Sequence, residues 1–143
     1  MKKIFTLSAG FFLFVILLSS CAKERIAVNN DENYWLSKEE GDVVYSDPTC
    51  SYYVVATNNG YNIVRAYAGY KPYEGDLVYG NFSNLGTRDM YNYTARYVFA
   101  GTVTDYWLSY NAAMDALDYY CAVYGKAGET TTRVFKETTR IKK

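Results

Sequence analysis

From Glu40 onward, apolar and polar residues alternate in short runs separated by Gly, Asn and Asp, the pattern of short strands joined by turns. Tyr52 to Thr57 and Tyr61 to Tyr67 are β-branched and aromatic runs. Asn58-Asn59-Gly60 joins them, a connection suited to a hairpin because Asn and Gly tolerate positive φ. Leu77 to Phe82 and Arg96 to Thr104 read as two further strands, Asp89 to Tyr93 as a weaker one, and Val43 to Ser46 as a short edge. In the 96–104 run, Tyr97, Phe99 and Val103 share one face while Arg96, Thr102 and Thr104 share the other, as in a half-buried strand.

One stretch changes period. After Ser109, a residue suited to capping a helix, Tyr110, Ala113, Met114, Leu117, Tyr120 and Cys121 recur at helical spacing, with Asp115 and Asp118 on the opposite face. This predicts a helix over about 109–123, packed through its Met-Leu-Cys side against the sheet and ended by Gly125 and Gly128. Thr130 to Lys136 is β-prone and allows a last strand, and beyond Thr138 the basic tail is expected to fray. The elements together predict a β-rich α+β domain over 40–128. Its form is a small antiparallel sheet or partly open barrel, OB-like at most, of five to seven strands with one C-terminal helix.

The chain also echoes itself. Glu40-Gly41-Asp42-Val43-Val44-Tyr45 returns 34 residues later as Glu74-Gly75-Asp76-Leu77-Val78-Tyr79. Ala66-Tyr67-Ala68-Gly69 is likewise followed by Val98-Phe99-Ala100-Gly101. Residues 40–69 and 74–101 thus read either as two copies of a three-strand unit opened by a Gly-Asp turn, or as a coincidence of common turn chemistry.

The N-terminus follows another pattern. Lys2 and Lys3 precede apolar residues from Ile4 to Leu18, whose densest part, Phe11 to Leu18, falls short of the about 20 residues that cross a bilayer core. A positive start and a short apolar run form a secretory signal. The Leu18-Ser19-Ser20-Cys21 that follows resembles the lipobox of bacterial lipoproteins. The resemblance covers residues 1–21 and implies cleavage before Cys21, with a diacylglycerol on its thiol and acylation of the new amino terminus. Such chains, palmitate among them, would make the membrane a partner, since two acyl chains anchor stably where one is marginal. It implies an extracytoplasmic, lipid-anchored place in the cell envelope. Ala22-Lys23 lacks the Asp that marks inner-membrane retention in some bacteria, which favours an outer membrane where the cell has one. Residues 21–39 are then the lipidated cysteine and a polar tether, in which Tyr34-Trp35-Leu36 is the expected docking point.

Composition narrows the chemistry. Without residues 1–20, 13 Lys and Arg (15 less Lys2 and Lys3) face 15 Asp and Glu, a balance of −2 that offers nucleic acid no basic face. The chain has no histidine, which excludes Ser-His-Asp and Cys-His nucleophilic sites and removes the commonest transition-metal ligand. It also lacks an Asp-x-Asp-x-Asp calcium loop, so neither metal nor cofactor is expected. Asp42 and Asp76 read as turn residues, Asp115 and Asp118 as a solvated face, and no catalytic residue is assigned. Cys50 and Cys121 are either a disulfide, worth up to about 4 kcal/mol for so long a loop, or two buried thiols.

The 17 tyrosines suit half-buried strands and also contact surfaces. Tyr67, Tyr70, Tyr73, Tyr91, Tyr93, Tyr106, Trp107 and Tyr110 fall mostly in loops or at strand ends. Of these, Tyr70, Tyr73, Tyr106 and Trp107 are the candidate contacts for a ligand or partner, with capping of the barrel ends as the competing role. The expected function is non-catalytic binding or assembly in the cell envelope, on protein or glycan. An inhibitor or immunity-type lipoprotein acting on a toxin or hydrolase is the alternative, and a carboxylate-dependent hydrolase ranks third.

Overall fold

Asn58 and Asn59 turn the chain so that Thr57 pairs with Gly60, and the hairpin they close is the centre of the fold. The computed structural model describes residues 32–124 and 133–141. The expected export signal over 1–20, Cys21, Gly125, Gly128 and residues 130–132 lie outside the described residues.

The described residues form α1 (Glu32–Leu36), β1 (Glu39–Ser46), β2 (Tyr52–Thr57), β3 (Gly60–Ala66), β4 (Leu77–Gly80), β5 (Gly86–Asn92), β6 (Tyr97–Leu108) and α2 (Tyr110–Tyr124). The strands close into a barrel in the order β1-β2-β3-β6-β5-β4, each neighbour antiparallel. The architecture is therefore two three-stranded meanders joined along two seams, β1 with β4 and β3 with β6. This is the expected β-rich α+β class, with the barrel fully closed.

The first sequence echo meets itself at one seam. Asp42 pairs with Leu77, and the Val43 amide donates to the Asp76 carbonyl at 2.9 Å, so equivalent residues cross there about a local two-fold. The second echo has no such register: Ala68-Gly69 is the turn after β3, whereas Ala100-Gly101 lies inside β6. The Gly-Asp pairs also differ. Gly75 sits in a turn with φ 92°, but Gly41 and Asp42 lie within β1. Gly41 is needed for space, because a Cβ there would stand 2.3 Å from Val55 Cγ1. The short edge expected over 43–46 is thus part of an eight-residue strand paired on both sides.

Two cores share β2. Val43, Tyr53, Val55, Val64, Val78, Phe82, Met90, Phe99 and Val103 fill the barrel interior. Tyr52, Val54 and Ala56 point outward and are covered by Ala113, Leu117 and Cys121 of α2, so every residue of β2 is buried. Ser109 caps α2 as expected, its Oγ accepting the Ala112 amide at 3.3 Å. Cys50 and Cys121 are joined in a disulfide, with Cα atoms 5.5 Å apart, which fastens α2 to the entry of β2.

Both termini of the described chain are built in more firmly than expected. Residues 32–39, expected in the tether, form α1 and the start of β1, and Trp35 docks on Tyr91. Over its described residues, 133–141, the tail is neither a strand nor frayed. Phe135 is buried between Tyr45, Tyr61 and Tyr110, the Lys136 amide donates to Val44 O at 2.8 Å, and Arg140 pairs with Glu40 and Asp42.

The Gly41 contact is testable by a double-mutant cycle in urea. Gly41→Ala alone is expected to cost about 1–3 kcal/mol through overpacking. In a Val55→Ala background, which removes the atom it meets, the added cost should largely vanish.

Candidate functional site

The irregular end of β6 generates the candidate site. β5 pairs with β6 only from Asn92–Tyr97 to Gly86–Val103, so residues 104–108 run on with β3 alone beside them. The β3–β6 register slips twice over that stretch, between Tyr61 and Ile63 and between Ile63 and Val64. Such bulges re-aim side chains. Here the result is Trp107 with φ 59°, a region that bulky residues rarely occupy and that costs about 1–3 kcal/mol.

Named contacts hold that conformation. Asn62, fully buried in β3, donates through Nδ2 to Val55 O at 3.0 Å, and its Oδ1 accepts the Trp107 amide at 3.2 Å. Gly60 lets the chains approach, since a Cβ on it would lie 2.8 Å from Leu108 O. The indole is tied as well. Trp107 Nε1 donates to Ser83 Oγ at 3.0 Å, Ser83 Oγ donates to Glu39 Oε2 at 2.8 Å, and Asn59 Nδ2 donates to Glu39 Oε1 at 3.2 Å. Trp107 is nevertheless 56% exposed. The ring is presented to solvent and fixed at its edge.

Ser83 and Glu39 also line a groove of about 590 Å³ between α1 and the β4–β5 connection. Tyr34, Trp35, Lys38, Asn81, Arg88 and Asp89 line it too. Trp35 holds α1 in place by stacking on Tyr91, with centroids 6.0 Å apart and planes at 24°. Glu32 adds an ion pair with Arg96, whose guanidinium lies 4.3 Å over the Tyr93 ring. The Lys38 ammonium lies 4.3 Å over Tyr34. Asn81 Oδ1 accepts from Asn84 at 2.7 Å, leaving the Asn81 amide hydrogens to the groove, and Asp89 has no side-chain partner among the described residues.

The four aromatic residues singled out from the sequence are not one surface. Tyr70 is half-buried and packs edge-on against Tyr97 at 4.6 Å and obliquely on Phe99 at 5.0 Å, capping one end of the barrel. Tyr73, on the β3–β4 connection, is 79% exposed near that same end. Tyr106 and Trp107 form their own edge-to-face pair at 5.3 Å. From Phe99 to Trp107 the strand advances roughly 26 Å. Of the other aromatic candidates, Tyr91 and Tyr93 belong to the layer under α1, and Tyr110 packs on Phe135.

The carboxylates are dispersed. Asp42 is engaged by Thr138 and Arg140 in mid-strand, which corrects its reading as a turn residue. Asp76 does act in a turn, accepting the Tyr73 amide at 2.9 Å and Asn92 Nδ2 at 2.7 Å. Asp47 serves Thr49, Asp105 accepts from Tyr120, and Asp118 pairs with Arg133. Among the described residues no group of three His, Cys, Asp or Glu could hold a metal ion.

The chain matches no family model, no curated protein and no solved structure.

Two expectations follow from this geometry. Replacing Asn62 by Ala leaves the part-buried Trp107 amide without its acceptor, which should cost about 1–3 kcal/mol and speed hydrogen exchange at that amide. Beside the groove, Tyr79 donates to Glu40 Oε2 at 2.7 Å, and burial, with that bond, pushes its pKa up to about 12. A raised tyrosine pKa gives stability that is whole below about 10, the unfolded value, and is lost as pH rises toward about 12. The stability gap between the native chain and Tyr79→Phe should therefore be constant at neutral pH and shrink from pH 10 to 12 in urea titrations.

Proposed function

We propose that this chain is a lipid-anchored, non-catalytic binding protein of the cell envelope. The observation that carries the reading is Trp107. An exposed indole is kept in a costly backbone conformation by a buried Asn62 and a glycine, and its edge is fixed by the Ser83–Glu39 chain. Strain of this kind persists only where the surrounding structure determines it, and it clusters at ligand clamps. A rigid, exposed aromatic ring is also a common anchor of recognition surfaces, since little conformational freedom is lost on binding.

The membrane half of the reading rests on Leu18-Ser19-Ser20-Cys21 after a short apolar run. If Cys21 carries the lipid, the chain to Glu32 spans on the order of 40 Å at full extension. The groove would then work close to the bilayer surface. Such an arrangement suits a receptor or assembly factor for something held in the envelope. The same rigid, disulfide-braced domain also suits an inhibitor, for which Trp107 would be the residue inserted into the target.

Affinity capture from the native envelope tests the proposal. The native chain should fractionate with membranes and retain a partner. Cys21→Ala should leave the mature membrane-bound form unmade, Trp107→Ala should lose the partner, and Tyr73→Ala at the far end should keep it. Retention of the same partner by Trp107→Ala would sink the reading.

A further inference from the structure

We propose that the groove beside Trp107 takes an uncharged saccharide chain, an inference that deepens the binding reading above and rests on it. The volume, about 590 Å³, lies in the range of small-molecule sites. Its charge is balanced: Lys38 and Arg88 face Glu39 and Asp89, so no field of one sign selects an anion or a cation.

Hydrogen-bonding capacity decides between the remaining ligand classes. Both oxygens of Glu39 are occupied, by Asn59 and Ser83, and Arg88 is turned back toward the carbonyls of Leu85 and Gly86. What remains unspent among the described residues is an acceptor, the Asp89 carboxylate, and donors on Asn81 and Lys38. A hydroxyl is the group that meets both, since it donates and accepts at one atom. Sugar rings carry hydroxyls around their rims and C–H groups on their faces. Aromatic surface is at hand as well: Tyr34 of the lining is 53% exposed, with the Lys38 ammonium over its ring, and Trp107 is bonded to Ser83 of that lining. A peptide anchored by apolar side chains would instead need a dry, closed pocket, whereas this lining is open and mostly polar.

Of the two tryptophans of the chain, Trp35 lines the groove and Trp107 is bonded to Ser83 of the lining, so tryptophan emission reports on the groove and its surroundings. The test is a titration of the full-length chain, in a zwitterionic detergent without a sugar headgroup, with neutral tetrasaccharides of glucose, mannose and N-acetylglucosamine. A saturable change in emission is expected with one of them. Asp89→Ala and Tyr34→Ala, each at an exposed residue, should weaken it at least tenfold, and Tyr73→Ala should leave it unchanged. No saturable response to any of the three, or binding that Asp89→Ala and Tyr34→Ala leave intact, would overturn the assignment. A protein partner captured through Trp107 without a saccharide response removes the saccharide and leaves the binding reading standing; failure of both removes both.

Discussion

The structure depends on β2 being buried on both faces. Tyr53 and Val55 project into the barrel, Tyr52, Val54 and Ala56 lie under α2, and none of the six residues is exposed. A strand in that position must be apolar throughout and must have firm neighbours, because a slip of one residue would exchange its two faces. β1 and β3 are those neighbours, and each meets it with a device. Gly41 lets β1 close over Val55, and Asn62 of β3 bonds to the Val55 carbonyl.

From that contact the account runs outward to the site. Asn62 is a buried polar residue beside Ile63 and Val64 of β3, and its second bond reaches across the bulge to Trp107. The strain on Trp107 is thus balanced by the buried β2–β3 hairpin rather than by the part of β6 that displays it. The other wall of the groove, α1, is held differently, by stacking of Trp35 on Tyr91 and by the Glu32–Arg96 ion pair, an exposed contact of small worth. Trp107 is therefore held by a network of hydrogen bonds, whereas α1 is secured mainly by one aromatic stack.

How much of this was legible in the sequence varied with the range of the interaction. β2 and α2 were readable because their signals are local: a β-branched run before Asn-Asn-Gly, and apolar residues at helical spacing after Ser109. β1 was read too short because Glu39-Glu40-Gly41-Asp42 looks like a turn, and the need for Gly41 comes from Val55, distant in sequence. Tyr70 and Trp107 looked alike as loop or strand-end aromatics. What separates them is that Tyr97 and Phe99 cover one, while a register slip between β3 and β6 exposes the other. Register between distant strands leaves little local trace, although Asn62 inside an apolar run was a signal that could have been followed. Asn81, Ser83 and Asp89 gave none, being single polar residues that only closure of the barrel brings beside Glu39.

The central claim is that the Trp107 end of the barrel, and not the α2 face, is where this protein meets its partner. Site-specific photocrosslinking in intact cells addresses it directly, with a photoreactive residue placed at Asn81 in the groove or at Asp115 on the exposed side of α2. The account predicts discrete crosslinked products from position 81 and none from position 115. Products from position 115 alone would contradict it and move the binding surface to the helix.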